Sequence, residues 1–172
     1  MHDDQRREFA ELASTELPGL RRFAYALVGD WHRADDVVQT ALERMYVKWP
    51  RLRDVADPGA YLRTVAARCA ASESRRSWFR RERIVAVMPD QAISDGAAQA
   101  ADRLDLVQAL AGLSVKQRAI VVLRFVEDRS VADVAYILGI APGTVKRQSH
   151  DALETLRQRL VTDEQRPMRE EL

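Results

Sequence analysis

Near the end of the chain, two helix patterns follow each other with almost no residues between them. The first is VADVAYIL, residues 131–138, which Ser130 and Asp133 open as a capping pair. Gly139 then predicts a left-handed stop. Pro142 suits the first turn of the next helix, because its missing N–H would have no partner there. Two helices separated by so short a turn have the spacing of a helix-turn-helix.

The last helix has a packing side and a polar side. At 100° per residue, Thr144, Arg147 and His150 fall on the polar side, with Lys146 at its border. We expect Thr144 and Lys146 to meet DNA phosphates and Arg147 and His150 to face base edges in the major groove. A Lys-Arg pair taken alone more often lies on a solvent-exposed helix face without a partner. The prediction of DNA binding therefore depends on the capped helix and the short turn that precede this pair. The packing side carries Val145, Ser149, Ala152, Leu153, Leu156 and Leu160.

The rest of the chain also has a helical pattern. Apolar residues recur every three or four positions, and no Asn-Gly or Gly-Gly hairpin turn occurs. Residues 85–103 interrupt the pattern with Pro, Gly and many small or acidic residues, as a flexible connection does. We therefore predict an all-α fold with two small helical domains, at residues 9–84 and 104–161, joined by a flexible linker at 85–103. The expected helices lie near residues 9–28, 31–49, 60–83, 104–111, 115–127, 131–138 and from 142 onward. Ser114 and Gln117 are expected to form a capping box that opens the helix at 115–127.

Composition narrows the functional classes. The formal net charge is +1 for 172 residues, so any affinity for nucleic acid has to come from local patches. The single cysteine, Cys69, excludes an intrachain disulfide and a multi-cysteine zinc site, and no ligand-spaced partner supports a metal at His150. No stretch has the character of a signal peptide or a membrane span. We expect a cytoplasmic protein without metal or cofactor.

The helix expected at residues 31–49 has an acidic outer face, which carries Asp35, Asp36, Gln39 and Tyr46. This face is too acidic for DNA, but its acceptors suit the arginines of a protein partner. An ordinary solvated face is the alternative for this helix taken alone. Adjacent carboxylates point about 100° apart on a helix, and no histidine lies at convergent spacing, so no enzymatic activity is predicted.

The helix expected at residues 60–83 has the opposite charge balance, with a clear excess of arginine. A strip of small residues that includes Ala67 is expected on its outer side, where a sugar-phosphate backbone can approach closely. Trp78 and Phe79 fit either core packing or stacking on an unpaired base. The candidate DNA contacts are Arg63, Arg68, Arg75 and Arg76.

In this order, the acidic helix, the basic helix and the helix-turn-helix resemble the extracytoplasmic-function branch of the bacterial RNA polymerase sigma factors. ADDVVQTALERMYVKW (34–49) resembles the region-two helix that docks on the clamp coiled coil of the polymerase beta-prime subunit. DPGAYLRTVAARCAASESRR (57–76) is similar to the segment that melts and reads the minus-ten promoter element. SVADVAYILGIAPGTVKRQSHDALETLRQRL (130–160) is similar to the region-four helix-turn-helix that reads the minus-thirty-five element.

The resemblance implies a transcription-initiation subunit that binds core RNA polymerase at the beta-prime clamp and the beta flap, directs it to promoters and assists DNA melting. An anti-sigma factor is a further candidate partner. The alternative is a stand-alone helix-turn-helix regulator that binds duplex DNA, with the first domain used for dimerisation. The implied roles are core-polymerase binding by Asp35, Asp36, Gln39 and Tyr46, minus-ten binding by Arg63, Arg68, Arg75 and Arg76 with base capture in the loop Pro50–Pro58, and minus-thirty-five binding by Thr144, Lys146, Arg147 and His150.

Overall fold

The computed structural model of the chain describes residues 3–52, 54–81 and 109–164, and the side chains among them at 3–52, 54–73 and 109–159. Every regular element in these ranges is helical, which confirms the all-α prediction. The predicted linker at 85–103 and most of the helix expected at 104–111 lie outside the described residues. The elements are α1 (Asp3–Val28), α2 (Trp31–Leu52), α3 (Pro58–Arg81), α4 (Val115–Val121), a π-helical turn (Val122–Val126), α5 (Val131–Leu138) and α6 (Pro142–Glu164).

Short polar side chains set the helix boundaries of the first domain. Gly29 takes a left-handed conformation, φ 74°, and ends α1 where the sequence predicts a stop. Asp30 then caps α2, because its Oδ1 accepts a 2.9 Å hydrogen bond from the backbone N–H of Arg33. Asp57 begins α3 in the same way and accepts a 2.8 Å hydrogen bond from the N–H of Ala60.

The first two helices are longer than the sequence predicts. α1 begins at Asp3 rather than near residue 9, since Asp3 and Asp4 place negative charge in the first turn, where the helix dipole favours it. α2 continues through Pro50 to Leu52. A proline near the end of a helix removes one backbone hydrogen bond but keeps a helical φ, so the helix can run on for a few residues. The first residues of the predicted loop Pro50–Pro58 are therefore helical.

Two reciprocal caps organise the second domain, and both confirm predictions. The Ser114 hydroxyl accepts a hydrogen bond from the Gln117 N–H at 3.2 Å, and the Gln117 side chain accepts from the Ser114 N–H at 3.1 Å. Ser130 and Asp133 repeat this arrangement at the start of α5, with both bonds at 3.1 Å. Gly139 closes α5 in the left-handed region, φ 63°.

The helix expected at residues 115–127 is interrupted. α4 ends at Val121 and continues as the π-helical turn, in which the N–H of Glu127 donates to the carbonyl of Val122 at 2.9 Å. Asp128 follows with φ 50°, a left-handed value that aspartate tolerates better than most residues. The prediction of one continuous α-helix is therefore wrong. Side-chain periodicity does not report an i to i+5 turn, a feature that is frequent at functional sites.

The two domains pack against each other. α1, α2 and α3 form the first bundle, and α4, α5 and α6 form the second. α4 also contacts α1 and α3, and α5 contacts α3. The buried side chains of both bundles form one continuous cluster, and each fully buried large side chain contributes about 1.5–3 kcal/mol to folding. The largest fully buried side chains include Leu20, Phe23, Leu27, Met45, Leu62, Leu110, Ile120, Leu123, Val134, Ile137 and Val145.

Candidate polymerase and promoter interfaces

The outer face of α2 carries the four residues predicted to bind polymerase. Asp35, Asp36, Gln39 and Tyr46 are all exposed, while the opposite side of the helix is buried in the first bundle. Tyr46 keeps 41% of its surface exposed although its ring packs edge-on against Phe9, with centroids 5.1 Å apart. The structure therefore brings the four residues together on one accessible face, which is acidic with an aromatic end.

Asp35 on this face is held by an arginine of α1. Arg21 donates from Nε to Oδ1 at 2.6 Å and from Nη2 to Oδ2 at 2.9 Å. The Arg21 hydrogen bond holds the pKa of the Asp35 carboxyl below its ordinary value. The guanidinium also lies over the Trp31 ring, 5.0 Å from its centroid, and that ring stacks on Tyr25 at 3.9 Å. Sequence reasoning missed Arg21, because only the packing of α1 on α2 brings it beside Asp35.

The first turns of α6 carry the predicted minus-thirty-five contacts. Lys146, Arg147 and His150 are exposed, and Thr144 is half-buried. Val145 on the opposite side is fully buried, so the helix is anchored while these polar side chains project outward. The division into a packing side and a polar side agrees with the prediction.

The N-terminal end of α6 is narrow. A Cβ placed on Gly143 would meet no atom within 4 Å, so the glycine stands in open space. The carbonyl of Ala141 accepts the N–H groups of Thr144 and Val145 at 2.9 and 3.1 Å and closes the first turn without a side-chain cap. This end resembles a tip that can enter a groove, as a recognition helix requires.

Arg63, a predicted minus-ten contact, is buried between the domains. Only 7% of the residue is exposed. Its Nη1 donates to Glu16 of α1 at 2.8 Å, and its Nε donates to Glu127 of the second domain at 2.6 Å. Burial lowers the pKa of the Arg63 guanidinium, but the two carboxylates outweigh this effect and raise it. A DNA contact by Arg63 stays a prediction, and it requires the bond to Glu127 to break.

The other predicted minus-ten arginines lie along α3. Arg68 is exposed, and its guanidinium approaches Gly139 in the turn of the helix-turn-helix. Arg75 and Arg76 belong to α3, but their side chains lie outside the described part of the structure. Ala67, expected on an open outer strip, is buried. The expectation of an open strip is wrong in this arrangement, in which α4 and α5 pack against α3.

The loop before α3 faces the second domain. Asp57 accepts a hydrogen bond from Nη1 of Arg129 at 3.3 Å, while its other oxygen caps α3. A cavity of about 220 Å³ lies between this loop and α5, with Val55 and Tyr136 on its two sides. The second domain therefore lies against part of the loop that is predicted to capture a minus-ten base.

Neither a metal site nor a membrane span is found in the described ranges. No group of three or more His, Cys, Asp or Glu side chains there is arranged to hold a metal ion. None of the helices described combines the length and the apolar character needed to cross a bilayer.

Comparison with known proteins decides the family. The family model described as Sigma-70 region 2 matches residues 12–80, and the model described as Sigma-70, region 4 matches residues 103–156. The RNA polymerase sigma-E factor of Streptomyces antibioticus is 38% identical over 159 residues, which cover 90% of this chain and 86% of that protein. The ECF RNA polymerase sigma factor SigL of Mycobacterium tuberculosis is 38% identical over 142 residues, 80% of each chain.

This chain belongs to the extracytoplasmic-function RNA polymerase sigma factors. The fold agrees, because the chain is similar to the sigma factor RpoE of Bartonella quintana, solved in complex with the anti-sigma factor NepR. That match has a TM-score of 0.70 and 28% identity and covers 91% of this chain and 99% of the other. The sigma factor is thus a transcription-initiation subunit, and the alternative of a stand-alone regulator is not supported.

Proposed function

We propose that this sigma factor binds core RNA polymerase through the acidic face of α2 and reads a promoter with two separate surfaces. The N-terminal end of α6 reads the minus-thirty-five element. α3 and the loop before it bind the minus-ten element. The observation that carries the proposal is the exposure of Lys146, Arg147 and His150 on α6, opposite the fully buried Val145.

The α6 surface supplies the duplex contacts. Thr144 and Lys146 bind phosphates and set the register, while Arg147 and His150 contact base edges. Each good base contact discriminates by about 1–3 kcal/mol, so one short helix gives modest specificity. A second reader in the same chain raises the combined specificity, because the two binding events are linked.

DNA opening in this proposal needs no catalytic residue in the sigma factor. The minus-ten surface binds the unpaired strand more tightly than the duplex, and this difference shifts the population toward open DNA. Phosphodiester bond formation belongs to the polymerase, so the sigma factor itself is not an enzyme. It works where the polymerase works, in the cytoplasm.

The two readers have to move apart for this activity. Elements centred about 25 base pairs apart are separated by about 85 Å at roughly 3.4 Å per base pair. A packed protein of this size has a radius of gyration of about 16 Å and cannot reach both elements. Residues 85–103 reach up to about 65 Å when extended, which allows the domains to bind at separate positions.

A protein inhibitor is a candidate partner in the same framework. The related RpoE was solved with the anti-sigma factor NepR. The second domain here exposes Phe125, Val126 and Tyr136 at 51%, 59% and 71%, and apolar side chains of this size suit a protein surface. We propose that an anti-sigma factor of this organism covers this part of the sigma factor.

The polymerase face is tested with a charge reversal at Asp36, which is exposed and belongs to the face. We expect Asp36→Lys to abolish core-polymerase binding and promoter opening, measured by co-purification and by permanganate reactivity of unpaired thymines. Binding to bare duplex DNA should be retained. The matched control is Glu11→Lys, which makes the same change of charge at an exposed position of α1. This variant should open promoters as the wild type does. Unchanged polymerase binding by Asp36→Lys would show that this face is not the interface.

The α6 surface is tested by DNA binding. Run-off transcription first identifies the genomic fragments that carry a promoter for this sigma factor, and these fragments then serve as the DNA. Arg147→Ala should weaken binding to the minus-thirty-five element by roughly 5- to 150-fold, the equivalent of about 1–3 kcal/mol. Arg157→Ala removes an exposed arginine farther along the same helix and should have little effect. Equal losses in both variants would indicate a general charge effect and would contradict base reading by Arg147.

A further inference from the structure

We propose that Arg63 is an interdomain latch, which exchanges its carboxylate partner in the second domain for a DNA phosphate when the domains separate. In the packed form the latch holds the sigma factor in a state that does not bind the minus-ten strand. The proposal deepens the proposed function, since it rests on Arg63 as a strand contact. It assigns to the same residue the regulation of access to that surface.

The geometry of the latch joins three elements. Arg63 lies on α3, Glu16 on α1 of the same domain, and Glu127 beyond the π-helical turn of the other domain. Both ion pairs are short: Arg63 lies 2.8 Å from Glu16 and 2.6 Å from Glu127. The exposed fraction is 9% for the Arg63 side chain, 24% for Glu16 and 17% for Glu127. Of the two Arg63 pairs, the one with Glu127 crosses the domain boundary and the one with Glu16 does not. Breaking that pair leaves Arg63 attached to its own domain through Glu16.

Two further polar contacts cross the same boundary. Arg129 donates to Asp57 at 3.3 Å, and its Nε lies 3.9 Å from Glu127, so Glu127 stands between two arginines. Arg118 donates to the carbonyl of Leu27 at the end of α1 at 2.7 Å. Glu127 thus bonds directly to Arg63 across the boundary and lies beside Arg129, whose own bond to Asp57 also crosses it.

Packing around the latch is incomplete. A cavity of about 520 Å³ lies beside Arg63 and Glu127, with Phe23 and Tyr25 on the first-domain side and Val126 on the second-domain side. Apolar side chains that border a cavity lose contacts they would make in a filled core. The polar contacts consequently account for more of the interdomain attraction than they would in a close-packed boundary.

The exchange is chemically matched. A guanidinium donates to a phosphate with the same planar fork that it offers to a carboxylate, and it stays protonated in both states. In the packed form Arg63 is only 7% exposed, so a DNA strand cannot reach it. Binding to Glu127 and binding to DNA are thus mutually exclusive. By linkage, whatever stabilises the separated form raises the affinity for the strand.

The test removes the charge of Glu127 without changing its shape. We expect Glu127→Gln to shift the equilibrium toward separated domains by about tenfold or more, as for the loss of a hydrogen bond to a charged group. Small-angle X-ray scattering of the free sigma factor should then give a larger radius of gyration than the wild type. Binding of the free chain to a single-stranded DNA oligonucleotide of mixed sequence should increase in the same variant.

Three companion variants make the result decisive. Asp128→Asn removes the charge next to Glu127, and asparagine tolerates the left-handed backbone at this position. The domains of this variant should stay packed together. Arg63→Lys keeps the charge but loses the fork, so it should separate the domains partly. Arg63→Gln should separate them without the gain in DNA binding. Helix content by circular dichroism verifies that each variant is folded.

The contradicting outcomes are distinct. A Glu127→Gln variant as compact as the wild type would refute the latch, whatever the sigma factor does with polymerase. A gain in DNA binding that is equal in Arg63→Gln and Glu127→Gln would refute the exchange, because it would show that Arg63 does not hold the strand. If the domains separate in Glu127→Gln but the wild type supports no transcription, the latch proposal stands and the proposed function is refuted.

Discussion

Arg21 and Asp35 form a two-point hydrogen bond, at 2.6 and 2.9 Å, on the face where we propose that core polymerase binds. A partner arginine that approaches Asp35 has to displace Arg21. The neighbouring Asp36 is exposed and offers its carboxylate directly. The acidic face therefore has one carboxylate that is free to bind and one that is already engaged.

The first prediction concerns this competition. We expect Arg21→Gln to strengthen core-polymerase binding by up to about fivefold, because an exposed ion pair of about 0.2–1 kcal/mol no longer competes with the partner. Titration of core polymerase with labelled sigma factor measures the change. Arg7→Gln removes a comparable exposed pair with Asp4 and should leave affinity unchanged. Weaker binding of Arg21→Gln would mean that Arg21 supports the interface rather than competing with it.

The second prediction separates two glycines that stand four positions apart. Gly139→Ala should lower the free energy of unfolding by about 1–2 kcal/mol, because φ is 63° there and a side chain strains that conformation. Gly143→Ala places a methyl in open space and should change stability by less than about 1 kcal/mol. Urea unfolding measures both.

The same Gly143 variant probes the proposed contact end of α6. If this tip enters the major groove, the added methyl should reduce binding to the minus-thirty-five element although the free protein is as stable as before. Electrophoretic mobility shift with selected promoter fragments measures the loss. Unaltered affinity would mean that the tip does not approach the DNA closely.

The third prediction concerns pH. Hydrogen bonds from the Ser130 side chain and N–H hold the pKa of the Asp133 carboxyl below the ordinary value of 3.8. A lowered folded pKa contributes stability above the ordinary value, and this stability is lost as pH falls through the folded pKa. Asp133→Asn keeps an acceptor oxygen but has no charge to lose. The difference in unfolding free energy between pH 7 and pH 3 should be smaller in this variant than in the wild type.

Its control is Asp151→Asn, which removes an exposed carboxyl from α6 and should keep the acid dependence of the wild type. Urea unfolding at the two pH values measures all three proteins. An Asp133→Asn variant with the full acid dependence would show that the cap charge does not contribute to it.

Local features of this fold could be predicted from the sequence. The caps at Ser114 and Ser130 and the stop at Gly139 depend on residues within a few positions of each other. The two faces of α2 and α6 follow from helical periodicity alone. At these caps, this stop and these faces, where neighbouring residues determine the geometry, the predictions agree with the structure.

Contacts between distant residues could not be predicted in the same way. The partners of Arg63 lie 47 and 64 positions away, and no local pattern distinguishes a DNA-binding arginine from one that joins two domains. The π-helical turn that presents Glu127 also escaped prediction, since its apolar residues fit an ordinary helix. The residues of this chain that bind Arg63 on the predicted minus-ten surface could thus be identified only from the folded structure.

The central claim is that this chain is a sigma factor whose acidic α2 face recruits core polymerase to promoters read by α6. Run-off transcription with core polymerase on a pool of genomic fragments tests it most directly. We predict transcripts that require the wild-type chain, that disappear with Asp36→Lys and that are retained with Glu11→Lys. A pool in which no transcript depends on the chain, or in which Asp36→Lys supports the same transcripts, would contradict the claim.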